Sequence, residues 1–581
     1  MRSTALPVGT VKRVLHLVTG VVLAGAMAAS GGAAEGLEPV RQETQREPVG
    51  IGGVYRAENL ITGEMAEKPV RVSLHLAPGD VINLQFEDRS RPWAYVFLGS
   101  EPRPLEFSQR KIDKGSELLL RTPQGDEVVG LSSFNKDISP AQFEQLCRQY
   151  SGIRSLFVSI SGRSQAVVDL RPLAHLPRLA ALRSDYGTPL SDLEPLTRLP
   201  ELALLDIYHS DRLTTLEPLR KLDSLRVLEV TGCKQLRDIG ALAGLTGLRR
   251  LNLHDCPYRG EDLAALAHLK KLRHLTIDDC DVDEELAPLA GLVGLTHLTI
   301  HEGRSLSSLA PLAGLTNLRE VKINGVRMPL SLAPFRGMKK LERLTVWGKT
   351  TETGSLSSCE NLTELNLGEI DKLEPLPGAA KLARLSIEAC HNITDLEPLA
   401  AATSLTCLSL RGGRKVRNLK PLAGLVNLER LSLDLFERVE ELGPLAELKR
   451  LKFLKLSYCE SVSDLTPLAS LTDLEDLAIA KGSLMGEYGG QPALKPLGNL
   501  KNLKRLELDL CPRLGDLSPL AGHPRLYQLS ITSCPNIRSL GRLGKMPALR
   551  RFHFSPDRQF SSDEVATLKR NNPQCSINPR W

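Results

Sequence analysis

The stretch His391–Leu410 reads HNITDLEPLAAATSLTCLSL, with leucines at 396, 399, 405, 408 and 410. That spacing is neither the 3.6-residue period of a helix nor the alternation of a strand. It resolves into two halves with different physics. Around Leu405, Leu408 and Leu410 the local period of two makes a short strand, with Leu408 and Leu410 turned inward and their neighbours outward. In Asp395–Ala400, DLEPLA, the proline suits the first turn of a helix, where its missing N–H would be unpaired anyway. The aspartate just ahead can accept a hydrogen bond from that turn. Neither half can bury its leucines alone, so such units must stack.

The pattern returns in SVSDLTPLASLTDLEDLAI, beginning at Ser461. Aligning on the middle leucine of LxxLxL gives eighteen anchors: Leu156, Leu182, Leu205, Leu228, Leu251, Leu275, Leu298, Val321, Leu344, Leu365, Leu385, Leu408, Leu431, Leu454, Leu477, Leu506, Leu529 and Phe552. Most steps are 23 residues, with exceptions of 26, 24, 21, 20 and 29. Thirteen units carry proline ten residues before the anchor, and Asp192, Asp395, Asp464 and Asp516 stand ready to cap the turn. Self-similarity of this kind marks a solenoid. A repeat array also suits a chain of 581 residues with only 4% aromatics, too long for one core and too leucine-rich for varied ones.

The unit DLxPLAxLxxLxxLxL resembles that of the leucine-rich repeat family, in particular the bacterial internalin-like class, over roughly residues 141–555. The resemblance implies an α/β-type repeat solenoid: an arc with a parallel sheet on its concave side and short helical or 3-10 segments on its convex side. Five residues after the anchor, where the family most often has Asn, this chain has Cys233, Cys256, Cys280, Cys390, Cys459, Cys511 and Cys534, or Gly303, Gly413 and Gly482. Cysteine is the family's substitute there, a small buried group bonding weakly to backbone. Strands lie ~4.8 Å apart, so Cys233, Cys256 and Cys280 should come within reach of one another. Disulfide or zinc readings are open geometrically, but reduced structural thiols are expected, since cysteine is an ordinary buried residue. The odd total of 11 also argues against a full disulfide framework. Neither a metal nor a cofactor is expected.

The flanks lack the repeat. Residues 1–34 read as an export signal: Arg2, Lys12 and Arg13 precede an apolar run from Val14 to Ala29 and the small-residue sites Ala26–Ala28 and Gly32–Ala34. The run is shorter than the ~20 residues that span a bilayer, and no later stretch is apolar enough to do so. Residues 35–140 alternate like strands at Val70–Leu74, Ile82–Phe86, Trp93–Leu98 and Glu117–Leu120, which predicts a small antiparallel β domain with no catalytic constellation. Ser139–Leu146 reads as a helix capping the first repeat. Ser561-Ser-Asp-Glu564 is a capping box opening a C-terminal helical cap within 556–581.

Residues one before, one after and three after each anchor should point out of the concave sheet. The preceding column is largely basic, with Arg250, His274, His297, Arg343, Arg384, Arg430, Arg505 and Arg551. The column after is small and polar. The third holds Tyr208, His254, Asp278, His301, Trp347, Glu388, Arg411, Asp434 and Asp509. Tyr, Trp and Arg anchor interfaces most often. Candidate partner contacts are therefore Tyr208, Arg250, His254, Asp278, His301, Arg343, Trp347, Arg384, Arg411, Arg430 and Asp434, with Tyr488 on the loop inserted by the 29-residue step. The competing reading is a solvated face whose charges pair across strands. His254 and His301 sit two strands apart, roughly 10 Å, which is too far to share a metal ion easily. The short steps from Leu344 to Leu385 should disturb the curvature beside Trp347.

The charges nearly cancel, 74 basic against 68 acidic, giving no electrostatic case for nucleic acid. No nucleophile elbow, phosphate loop or HExxH motif is present. Together with the resemblance, whose internalin-like members are surface or secreted binding proteins, this predicts an exported, monomeric, non-enzymatic scaffold. It would bind a protein, or alternatively a glycan, on the concave face. The alternatives are an inhibitor or regulator of an enzyme and a secreted host-directed effector. Localisation after signal removal would be extracytoplasmic: periplasm, cell surface or medium.

Overall fold

The structure is a computed structural model. It describes residues 51–61, 65–67, 80–86, 93–96, 107–112, 115–122, 125–133, 140–158, 169–184, 190–258, 260–279, 286–302, 306–376, 380–481, 487–488, 491–492, 494–537, 539–555 and 560–579. The expected export signal, the Val70–Leu74 strand and Cys280 lie outside the described residues.

Among the described residues twenty-seven strands join in one sheet. Through the repeats its strands are parallel, and every anchor sits directly across from the next: Leu156 opposite Leu182, Leu408 opposite Leu431, and so on to Leu529 opposite Phe552. All eighteen predicted anchors are in register. The leucine rows form one hydrophobic core running from Leu131 to Cys575, and Leu396, Leu399, Leu405, Leu408 and Leu410 of the diagnostic stretch all lie in it. Because each strand alternates, a one-residue slip would turn this whole row to water, so burial fixes the register.

The outer segments are 3-10 turns such as Glu194–Arg198, Thr466–Ser470 and Ser518–Leu520, with proline in the second helical position. The four aspartates cap them as expected, one residue ahead of the N-cap leucine. Asp192, Asp395, Asp464 and Asp516 accept from the amides of Glu194, Glu397, Thr466 and Ser518 at 2.9, 3.2, 2.8 and 2.9 Å. Asp464→Ala is therefore expected to lower stability by about 1 kcal/mol, read as a shift in the urea midpoint with no change in slope.

Four residues past the anchor the chain leaves the strand in the left-handed region. The position is filled by Gly232, Asp255, Asp279, Glu302, Gly325 and Gly412, then by Leu435, Tyr458, Lys481 and Leu510. The units anchored at Leu344, Leu365 and Leu385 omit this turn. Their strands run on as Arg343–Thr351, Glu364–Ile370 and Arg384–Ala389; in the first two this accompanies the 21- and 20-residue steps, while the third keeps a step of 23.

The cysteine column behaves as the resemblance implied. Cys256, Cys390, Cys511 and Cys534 lie within hydrogen-bonding range of backbone carbonyls at 3.3, 3.0, 3.3 and 3.2 Å. No cysteine among the described residues is in a disulfide. Burial pushes the Cys390 and Cys459 thiols up to about 12, so they carry no nucleophilic thiolate at neutral pH.

At the N-terminal flank β strands join the sheet of the repeats. The strands Ile51–Asn59, Phe107–Ile112, Gly115–Thr122 and Gly125–Ser133 are antiparallel neighbours, but the last pairs in parallel with Ser155–Val158, setting Leu131 opposite Leu156. The sheet has no break at residue 140. Helix α1, Pro140–Gln149, covers this junction with Phe143 and Cys147 buried. At the other end helix α2, Ser562–Asn571, is held by the predicted capping box of Ser561 and Glu564. The chain then returns to add the strand Ser576–Pro579, with Ile577 opposite Phe552.

Candidate functional site: the outward face of the sheet

The N-terminal strands do more than extend the sheet. Leu60, Ile61 and Val81 form one apolar cluster with Ala180, Ala181, Ala203, Leu204 and Val227. Ala181, Leu204 and Val227 hold the position before the anchor, so the face of the first repeats is covered by the chain itself. Arg250, next in that column, donates from Nε to the Leu60 carbonyl at 2.7 Å. It therefore ties this face to the N-terminal strands within the molecule. The signal was in the sequence: this column is apolar at Ala181, Leu204 and Val227 and turns polar at Arg250, His274 and His297.

Beyond Arg250 the column called basic proves to be alternately charged. Glu320, Glu364 and Asp476 occupy it too, and each meets an arginine on the adjoining strand. Arg343 donates to Glu320 at 2.7 Å, Arg384 to Glu364 at 2.6 Å, and Arg505 to Asp476 at 2.5 Å. Burial would raise the Glu320 and Glu364 carboxyls, but Lys322 and Arg343 on the first, and Arg384 and Asn366 on the second, hold both below the usual range. In the third column Arg411 lies 3.3 Å from Asp434. Cross-strand pairing thus accounts for Arg343, Arg384, Arg411 and Asp434.

His254, Asp278 and His301 converge as their column predicts. The Nδ1 atoms of both histidines approach the same Asp278 carboxylate oxygen, at 2.9 and 3.3 Å. The hydrogen bond to Asp278 raises the His254 pKa. Burial opposes ionisation of Asp278, but the two histidines hold its pKa below the ordinary value. One carboxylate oxygen shared by two imidazoles is a charge pair rather than a metal cage. No group of three or more ligand-type side chains among the described residues could hold a metal ion.

Trp347 is 36% exposed and stands on a β-bulge. Val346 pairs with Leu367 and Lys349 with Glu369, leaving Trp347 and Gly348 opposite Gly368 alone. A side chain on Gly368 would meet the Gly348 nitrogen at 2.5 Å, so close backbone approach is what the two glycines permit. Bulges re-aim side chains and commonly adjoin functional sites. Tyr208 ends its strand with its ring edge-on to His209 at 4.5 Å. Tyr488 lies in a two-stranded hairpin, Glu487–Tyr488 with Gln491–Pro492. Arg430 meets Cys407 and Phe453 on the adjoining strands and lies over the Phe453 ring, 4.2 Å from its centroid. Phe453 and the exposed Tyr458 were missed as candidates, although both lie at positions that can be counted from the anchor Leu454.

Neither a protein-family profile nor a curated protein sequence matches the chain. Among solved structures, a leucine-rich repeat protein of Leptospira interrogans is similar with a TM-score of 0.52 and 18% identity, covering 76% of this chain and 99% of that one. The fold is that of the leucine-rich repeat proteins. Internalin InlF of Listeria monocytogenes is similar over 55% of this chain and 83% of its own, at 22% identity and a TM-score of 0.43. The functional domain of InlJ from the same organism, which includes a cysteine ladder, is similar over 57% and 74%, at 17% identity and a TM-score of 0.42. No helix of this leucine-rich repeat chain is long and apolar enough, among the described residues, to cross a membrane.

Proposed function

We propose that the chain is an exported, non-enzymatic scaffold that binds a protein partner on the outward face of its parallel sheet. The observation carrying this is Trp347: a large aromatic on the outward column, standing on a bulge where the shortened repeats depart from the common step. The rows of outward side chains from successive strands provide the broad, rigid surface that protein recognition uses. Export is supported by the basic start, apolar run and small-residue sites of residues 1–34. Cell fractionation tests it, and full-length protein in the cytosol would overturn it.

The face itself is tested with a photo-cross-linking residue at position 347 and, as a control, at the exposed Val426 outside the sheet. Cross-links to a protein should form from the first and not the second. With that partner in hand, Trp347→Ala combined with Arg343→Ala should weaken binding about ten-fold, the scale of one interface anchor. Cross-links from Val426 alone would place the interface elsewhere.

A further inference from the structure

Along most of the sheet face, cations are answered by acids on neighbouring strands: Arg183 by Asp206 at 3.2 Å, and likewise Arg343, Arg384, Arg411 and Arg505. On the strands Arg430–Asp434 and Phe453–Ser457 this pairing lapses. The flanking residues in the Arg430 column are Cys407 and Phe453, and those beside Lys455 are Ser432 and Ala478. The nearby acid Asp434 is already engaged by Arg411, and Asp476 by Arg505. Two positive charges are left uncompensated on one patch.

The same strand carries aromatics at both ends. Phe453 underlies Arg430, and just past the other end Tyr458 is 38% exposed at φ 54°, with Lys481 Nζ 4.7 Å from its ring centroid; that left-handed position costs a bulky residue more than a glycine. Next to them the strand Asp476–Ala480 presents Ala478 and Ala480 beyond the Arg505-bound Asp476, which leaves a shallow floor beside Lys455.

We propose that this patch is where the protein partner docks an acidic segment bearing an apolar or aromatic side chain. Its carboxylates pair with Arg430 and Lys455, and its apolar group lies on the alanine floor against Phe453 and Tyr458. The inference rests on the scaffold reading and narrows it to one part of the face. Charge complementarity selects the occupant. Two cations beside Phe453 and Ala478 suit a short acidic segment that also carries an apolar side chain, whereas a nucleic acid strand would find few basic contacts there.

The probes are a random copolymer of glutamate and tyrosine, polyglutamate and oligothymidylate, titrated against the full chain at low and high salt. The copolymer should bind more tightly than polyglutamate, and more weakly as salt rises. Arg430→Ser with Lys455→Ser should weaken it about ten-fold, the scale of two exposed ion pairs. Lys221→Ser with Lys271→Ser, the same charge change away from this patch, should leave it unaltered. No binding of the copolymer, equal binding by both double variants, or tighter binding of oligothymidylate each overturns the proposal. A silent copolymer with intact cross-links from position 347 removes this docking site while leaving the scaffold reading in place.

Discussion

Phe436→Ala is expected to cost about 3–5 kcal/mol, because a fully buried aromatic would be cut back to a methyl in a core that cannot collapse around it. Phe436 stands five residues past its anchor, in the column that holds cysteine in other repeats. The rung before it carries Gly413, where an added Cβ would meet the Phe436 ring at 2.4 Å. One rung has given up its side chain so that the next can carry a large one. Gly413→Cys alone should therefore destabilise by about 1–3 kcal/mol through overpacking. Gly413→Cys with Phe436→Cys rebuilds the regular column and should fall within about 1.5 kcal/mol of the parent, as volume-conserving exchanges do. Urea titration of the four proteins measures the coupling. Hydrogen exchange should confine the damage to the strands Cys407–Arg411, Arg430–Asp434 and Phe453–Ser457, since each rung touches only its neighbours. Additive costs in the double variant would show that the two positions do not share space.

The architecture was legible because burial acts on every unit alike. Eighteen repetitions of one leucine pattern leave one way to bury them, and proline and aspartate mark the same turn each time. What escaped was non-periodic. The covering of the first repeats depends on Leu60 and Ile61, which lie 120 or more residues before the strands they meet and belong to no repeat. Pairing across the strands was legible as the competing reading of the face, but its partners Glu320, Glu364 and Asp476 stand in the same column as the arginines and break its basic character. Counting every residue at the position would have shown the alternation, and with it the unanswered Arg430. The bulge at Trp347 was signalled by the short steps, but its form needed the structure, since a shortened repeat can omit a turn or a strand. Here it omits the left-handed turn, and the glycines at 348 and 368 let the backbones close.

Lowering the pH from 7 to 5 is expected to remove about 2 kcal/mol of stability through His274 alone. The ring is only 7% exposed and lies stacked on His297 with centroids 4.3 Å apart. Burial pushes its pKa down to about 2, and the charges facing it from the adjoining strands and its own, Arg250, His297 and Arg273, press the same way. The folded chain therefore keeps this imidazole neutral across the whole range in which an unfolded histidine, near 6.5, takes up a proton. Stability is intact above about 6.5 and falls as the solution is acidified below it. His297 and His523, also depressed by burial, act in the same direction. His254 acts in the opposite one: its pKa is raised by Asp278, so its contribution is present at low pH and fades as pH rises, but solvent reaches that pair and screens it. The buried rings should dominate. Urea midpoints for the parent and His274→Gln at both pH values give the sign and size, and the variant should lose about 2 kcal/mol less on acidification. Because Arg250 lies beside His274 and ties the sheet to Leu60, the strands from Arg250–His254 to His297–Ile300 should lose exchange protection before Arg430–Asp434 does. An unchanged pH slope in His274→Gln would mean that the ring is hydrated in the native state, and the packing of the N-terminal strands over it would have to be looser than the Arg250 tether implies.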